Sequence, residues 1–139
     1  MKTTQFIKEI KALPTLREKQ LFYLNDVVSH YNTQNRCVNG LSCQYEPYNE
    51  NTEGCAIGRR IPAKLRPILD NVAWGDSSVS ELEVFTQLPH WMKVLGTDFL
   101  QNIQNLHDNR GGMDYWDEDG INESGLEELE RIKRKFNLA

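Results

Sequence analysis

The sequence contains no apolar run of membrane-spanning length, which argues against a transmembrane protein. Its first eleven residues also lack the apolar core of a secretory signal peptide. A formal net charge of −4 supplies no broad basic field, so nonspecific nucleic-acid binding is disfavoured. We therefore expect a cytoplasmic protein that has no membrane partner and does not bind nucleic acid.

Cysteine is scarce, and its three copies are an odd number that argues against a closed disulfide framework. All three lie between Arg36 and Pro62, in the spacing C-x5-C-x11-C formed by Cys37, Cys43 and Cys55. Structural zinc sites usually take paired C-x2-C ligands, and this spacing has none. We predict that the protein holds no metal and no cofactor.

The chain is long enough for one hydrophobic core, and its composition is ordinary for a globular protein. It has 139 residues, of which 39% are hydrophobic and 26% are charged. It shows no internal repeat and no low-complexity segment. We expect a single domain over residues 1–139, mostly α-helical, with one small β-hairpin packed on the helices.

Apolar residues recur at three- and four-residue steps along much of the chain, a spacing typical of helices. Capping-box patterns begin at Thr15, Ser78 and Ser124 and predict helix starts. The acidic segment 113–120 lacks the ligand spacing of a calcium loop and predicts a solvated loop around a buried Trp116. The helices expected span residues 3–13, 16–32, 61–69, 90–95 and 98–109. Two further helices are expected to open at the capping boxes of Ser78 and Ser124, the first closing near Pro89 and the second reaching Phe136.

The predicted hairpin pairs Cys43–Tyr45 with Cys55–Ile57. The segment between these runs, residues 46–54, is rich in Pro, Asn, Glu and Gly, which favour turns. Gly54 and Gly58 flank the second run and allow another backbone to approach closely. An isolated hairpin is marginal in water, so we expect its apolar face to lie on helices.

The same stretch carries a resemblance to known sequences. It reads C-Q-Y at residues 43–45, G-C-A-I-G at 54–58 and R-R-I-P at 59–62. This resembles a family of small uncharacterised phage and bacterial proteins with C-x-Y, a polar turn, and then C-A-[IV]-G-x-x-I-P. The turn is longer here, and a glycine directly precedes Cys55.

Flanking residues extend the resemblance over most of the chain from about Leu24. Val27, His30 and Gln34 match an upstream V-x-x-H-x-x-x-Q pattern, and residues 100–108 match a downstream L-Q-x-x-H-D pattern with three extra residues. The family brings no established activity. It implies a protein of phage or mobile-element type, located in the host cytoplasm if a phage encodes it.

Basic residues bracket the predicted hairpin and suggest where an anion would bind. The candidate ligand-binding residues are Arg36, Arg59, Arg60, His30 and His107. The guanidinium group of arginine binds phosphate or carboxylate through two parallel hydrogen bonds. A solvent-exposed basic face that binds no ligand is, however, the commoner outcome of such a pattern. The two histidines either line a pocket beside the hairpin or are held in the interior, with Asp108 or a carbonyl as partner of His107.

A second hypothesis is that Cys55 is a catalytic nucleophile. It lies shortly before a predicted helix start and beside two arginines, features that lower a thiol pKa and favour a nucleophile. His107 or His30 would then be the base. Cysteine is, however, among the most buried residue types, and a small apolar packing role explains the same residue.

These observations lead to one functional hypothesis and two alternatives. We expect a non-catalytic accessory protein that binds a small anionic, nucleotide-like ligand or a host protein and thereby counteracts host defence. The first alternative is a Cys/His-dependent transferase or hydrolase centred on Cys55. The second is an oligomeric structural protein.

Overall fold

The computed structural model describes residues 1–36, 38–39, 42–43, 45, 54–72, 79, 82–110 and 113–138. Within these ranges the chain is mostly helical, as predicted, and carries two short antiparallel hairpins. Its helices are α1 (Thr3–Ala12), α2 (Leu16–His30), α3 (Arg66–Val72), α4 (Leu82–Phe85), α5 (His90–Lys93), α6 (Thr97–Asp108) and α7 (Glu123–Lys135). Its strands are β1 (Val38–Asn39), β2 (Ser42–Cys43), β3 (Trp116–Asp117) and β4 (Gly120–Ile121).

The first two helices follow the sequence pattern closely. Pro14 separates them, because proline cannot donate the hydrogen bond that would continue α1. Thr15 caps α2 as predicted, since its Oγ1 accepts a hydrogen bond from the Glu18 N–H at 3.2 Å. The two helices contact each other, and Phe6 of α1 packs on Phe22 and Tyr23 of α2.

The helix predicted over residues 61–69 is divided in two. A 3-10 turn, Ala63–Leu65, follows Pro62, and α3 begins at Arg66. Pro67 therefore lies in the first turn of α3, where its missing N–H leaves no hydrogen bond unmade. The capping box predicted at Ser78 lies outside the described residues.

The later helices keep their predicted positions, but their caps differ. Gly96, with φ of 94°, occupies the N-cap position of α6 and offers no side-chain cap. The start predicted for α7 at Ser124 is wrong by two residues, because the Asn122 side chain accepts a hydrogen bond from the Gly125 N–H at 2.9 Å. Asparagine and serine are both good N-caps, and Asn122 comes first along the chain.

The predicted strand pairing of Cys43–Tyr45 with Cys55–Ile57 is wrong. Cys43 of β2 pairs with Val38 of β1, and residues 55–57 form a turn that leads into a 3-10 helix, Gly58–Arg60. The two runs nevertheless meet, because the Tyr45 backbone lies directly against Gly54 and Gly58. A Cβ atom at Gly58 would stand 2.0 Å from the Tyr45 carbonyl oxygen. The close approach predicted at these glycines is confirmed, but as packing rather than as a β-ladder.

The acidic segment before α7 contains the second hairpin, which the sequence analysis did not predict. Trp116 pairs with Ile121, and Asp117 pairs with Gly120. Trp116 is buried as expected, and its indole Nε1 donates to the Leu106 carbonyl of α6 at 2.9 Å. This hydrogen bond ties the hairpin to the helix that carries His107.

The described core draws side chains from α1, α2 and α6, and also from the turn at residues 54–61 and from α7. Its members in the first three helices include Phe6, Tyr23, Leu24, Val27, Phe99, Leu100 and Ile103. No helix in the described part of the chain has both the length and the apolar character that crossing a membrane requires.

Candidate functional site

Arg59 and Arg60 bind one carboxylate inside the protein. Asp26 projects from α2, and the 3-10 turn at Gly58–Arg60 presents both guanidinium groups to it. Arg60 makes a two-point contact, with its Nη2 2.5 Å from Asp26 Oδ1 and its Nε 3.0 Å from Oδ2. Arg59 donates to the same Oδ2 through its Nη2. The anion that these arginines grip is therefore supplied by the chain itself.

Both arginines are buried, with 6% of Arg59 and 1% of Arg60 exposed. The Arg60 guanidinium carbon lies 4.1 Å from the Phe6 ring centroid, and its Nη1 donates to the Met1 carbonyl at 3.1 Å. The sequence pattern predicts that these side chains face a ligand. Asp26 instead supplies one carboxylate partner that both arginines share, because a guanidinium withdrawn from water requires an ionic or hydrogen-bonding partner.

Tyr31 lies at the centre of the residues that the sequence analysis singled out. Its ring centroid is 4.8 Å from that of His30 and 4.6 Å from that of His107, both in edge-to-face contact. The Arg59 guanidinium carbon is 5.6 Å from the same ring. The structure thus brings His30, His107 and Arg59 together around a buried tyrosine that was not among the candidate site residues.

His107 and Asp108 form a buried pair at the end of α6. The His107 Nδ1 lies 2.6 Å from Asp108 Oδ1, and neither side chain is exposed. Arg36 adds a contact, because its Nε donates to the His107 carbonyl at 2.7 Å. The predicted interior role of His107, with Asp108 as its partner, agrees with this geometry. Arg36 stabilises the end of α6, where carbonyl groups lack helical donors.

Cys55 is fully buried, and its Sγ accepts a hydrogen bond from the Gly58 N–H at 3.4 Å. Two tyrosine hydroxyl groups fix the surrounding backbone, since Tyr23 donates to the Ala56 carbonyl at 2.6 Å and Tyr31 donates to the Gly54 carbonyl at 2.9 Å. A thiol must be reached by its substrate to act as a nucleophile. The position of Cys55 suits a packed interior thiol better than a catalytic one.

The buried tyrosines next to Cys55 are held in the neutral form. Burial raises the pKa of Tyr23 well above its ordinary value, and the negative charge of Asp26 raises it further. Burial also raises the pKa of Tyr31 well above its ordinary value, although the charge of Arg59 opposes this shift. Both hydroxyl groups therefore remain donors to their carbonyl partners at neutral pH.

Among the residues that the structure describes, no three His, Cys, Asp or Glu side chains are grouped as a metal site would require. The side chains of Cys37 and Cys43 lie outside the described residues. The prediction that the protein holds no zinc stays a prediction. Elemental analysis of the purified protein would test it directly.

The sequence analysis did not predict an open groove, and the structure contains one of about 400 Å³. The groove lies between the end of α1, the first half of α2 and the segment around α5. Its lining residues are Ile10, Lys11, Lys19, Pro89, His90, Trp91 and Val94. No single segment contains enough of these residues to form a sequence motif, so only the packing of the three elements reveals the groove.

Comparison of the chain with protein-family models, with curated proteins and with solved structures gives no match.

Proposed function

We propose that this chain is a non-catalytic accessory protein that acts by binding a small anionic, nucleotide-like ligand. The main support for the proposal is that the potentially reactive side chains are buried and already bound to partners inside the protein. Cys55, His107 and Asp108 are buried side chains with partners inside the protein, and Arg59 and Arg60 bind Asp26. Side chains in this state can hold a fold together, but they do not present chemistry to a substrate.

The anionic character of the ligand is supported by the charge of the open groove. Lys11 and Lys19 line it, together with His90, although the chain as a whole carries a net charge of −4. A cleft whose charge opposes that of the protein attracts ligands of the other sign, because its low-dielectric walls concentrate the local field. Phosphate and carboxylate groups are the anionic partners that such a cleft favours.

The biological setting in this proposal comes from the motif resemblance. The runs at residues 43–45 and 54–62 resemble small phage and bacterial proteins, and phages use small proteins to counteract host defence. We propose that the chain acts in this way in the host cytoplasm, by sequestering a nucleotide-like signal. Binding to a host protein is the alternative outcome, to be recognised by a failure to bind any small anion.

The enzymatic alternative requires Cys55 to be reached by a substrate and to meet a histidine base. Its thiol is buried under the turn that it helps to form, so the segment around Gly58 would have to open before reaction. His107, whose Nδ1 pairs with Asp108, is fully buried as well and would also have to be uncovered. The geometry therefore favours binding over Cys55 catalysis.

Calorimetric titration of the purified protein with AMP, GMP, CMP and UMP, and with inorganic phosphate as a simple anion, tests this proposal. We expect binding of at least one mononucleotide, with the same affinity in wild type and in Cys55→Ser. Each nucleotide should be recovered unchanged by chromatography. Nucleotide conversion by wild type that disappears in Cys55→Ser would establish the enzymatic alternative instead.

A further inference from the structure

We infer that the groove between α1, α2 and α5 is a mononucleotide site, in which Trp91 stacks on the base and Lys11, Lys19 and His90 hold the phosphate. The inference rests on the proposed function, since it gives that function a site and a ligand class. This site is separate from Arg59 and Arg60, where the sequence analysis placed the anion.

Trp91 is suited to stack on a planar ligand because two other aromatic rings pack against its indole and restrict its position. Its ring centroid lies 6.1 Å from that of Phe6 in an edge-to-face contact and 6.4 Å from that of Tyr23. The indole is half-buried against these rings and lines the groove. An immobilised aromatic face loses little entropy when a planar base stacks on it, and every nucleobase offers such a face.

Lys19 supplies a cation that is already in place. Its Nζ donates to the Ile10 carbonyl at 2.9 Å and to the Lys11 carbonyl at 3.1 Å, at the end of α1. An ammonium group has three donors, so the third remains for a phosphate oxygen. Two hydrogen bonds to the backbone restrict the side chain, which lowers the entropy cost of holding a ligand.

The remaining lining residues add a second lysine, a histidine and apolar walls to the site. Lys11 and His90 are exposed, and none of the described residues that line the groove is acidic. Ile10, Pro89 and Val94 supply apolar walls. An apolar cleft with a few convergent cationic groups recognises a ligand that has both a planar apolar part and an anionic part, and a nucleotide has both.

The size of the groove favours a single nucleotide. A volume of about 400 Å³ lies toward the lower end of the roughly 300–1,000 Å³ found for small-molecule sites. The described lining of the groove contains only two lysines and one histidine, fewer basic residues than the extended basic track that a polynucleotide requires. We therefore commit to a mononucleotide-sized ligand.

The test is a calorimetric titration with AMP, or with whichever mononucleotide binds wild type most tightly. We expect Lys11→Gln to weaken binding by up to about fivefold, as the loss of an exposed charge does, and His90→Gln to weaken it through the loss of an imidazole hydrogen bond. Trp91→Leu should weaken it by at least about fivefold through the lost stacking, and Trp91→Phe should restore part of the loss. Circular dichroism and thermal unfolding of each variant show whether Trp91→Leu has also harmed the fold.

Lys64→Gln is the matched control, because it removes the same charge from an exposed lysine that does not line the groove. Unchanged affinity in Lys64→Gln, with the losses described in the groove variants, supports the inference. Mononucleotide binding that Lys11→Gln, His90→Gln and Trp91→Leu all leave intact overturns the site and leaves the proposed function standing. A wild-type protein that binds no mononucleotide overturns both.

Discussion

Arg60 and Asp26 form a two-point ion pair between a 3-10 turn and the middle of α2, although 34 residues separate them along the chain. The guanidinium is 1% exposed and also lies over the Phe6 ring of α1. One charged side chain thus joins three segments of the fold. This contact explains why a residue expected to grip a ligand is instead part of the interior.

The first prediction concerns this ion pair. Arg60→Ala should lower the free energy of unfolding by about 1.5–3 kcal/mol, because it removes the two-point charged hydrogen bond to Asp26 and the contact with Phe6, while Arg59 still pairs with Asp26. Chemical denaturation followed by circular dichroism measures the loss. Lys133→Ala, which breaks the more exposed pair with Glu130, is the control and should cost at most about 1 kcal/mol. Equal losses in the two variants would contradict an interior role for Arg60.

The second prediction concerns the reactivity of Cys55. In a Cys37→Ser, Cys43→Ser background, where Cys55 is the only thiol, labelling by a thiol reagent should be slow in the native protein. We expect it to be roughly a hundredfold or more slower than in denaturant, because the buried sulfur reacts only through opening of the fold. The measurement is the labelling rate at increasing denaturant concentration. Native labelling as fast as that of the unfolded chain would revive the nucleophile hypothesis.

The third prediction concerns the contact of Gly58 with Tyr45. A Cβ at Gly58 meets the Tyr45 carbonyl oxygen and two further backbone atoms within 2.7 Å, and backbone cannot move aside cheaply. Gly58→Ala should therefore destabilise the protein by about 3 kcal/mol or more, as severe overpacking does. Gly96→Ala adds the same methyl group into open space and carries only the cost of its positive φ. A smaller loss for Gly58→Ala than for Gly96→Ala would show that the close approach is incorrect.

The fourth prediction concerns alkaline pH. An unfolded tyrosine loses its proton near pH 10, whereas burial raises the pKa of Tyr23 and Tyr31 well above that value in the folded protein. The unfolded state then binds fewer protons than the folded state above about pH 10, so stability must fall as pH rises. The loss of stability contributed by each tyrosine steepens through pH 10 toward a limit of about 1.4 kcal/mol per pH unit.

Unfolding free energies measured between pH 9 and pH 11 for wild type, Tyr23→Phe and Tyr31→Phe check this dependence. Each substitution removes one titrating group and should reduce the slope, at the cost of about 1 kcal/mol at pH 8 for the lost hydrogen bond to Ala56 or Gly54. A slope unaffected by both substitutions would mean that these hydroxyl groups titrate alike in the two states.

Local signals in the sequence predicted much of the helical framework. The Thr15 capping box sets the start of α2, and Pro14 separates it from α1, because both act within a few residues. The interior position of Trp116 was also predictable from its large apolar ring. These features depend on neighbours in the chain, and periodicity carries that information.

The candidate site was only partly predictable, because it depends on contacts between distant residues. The sequence places Arg59 and Arg60 beside Cys55, but it does not show that Asp26 of α2 binds both. The runs at residues 43–45 and 55–57 looked like paired strands, although two glycines indicated the close packing that occurs instead. The groove around Trp91 unites three separate segments, and no motif marks it.

The most direct test of the account is a phosphorus NMR titration of the wild-type protein with the mononucleotide panel, followed over many hours. We predict that the resonance of at least one nucleotide shifts or broadens as protein is added, while no new phosphorus species accumulates. New phosphorus species that require the protein would contradict a non-catalytic binding role. Resonances unaffected by the protein for every nucleotide would contradict binding of a nucleotide-like ligand.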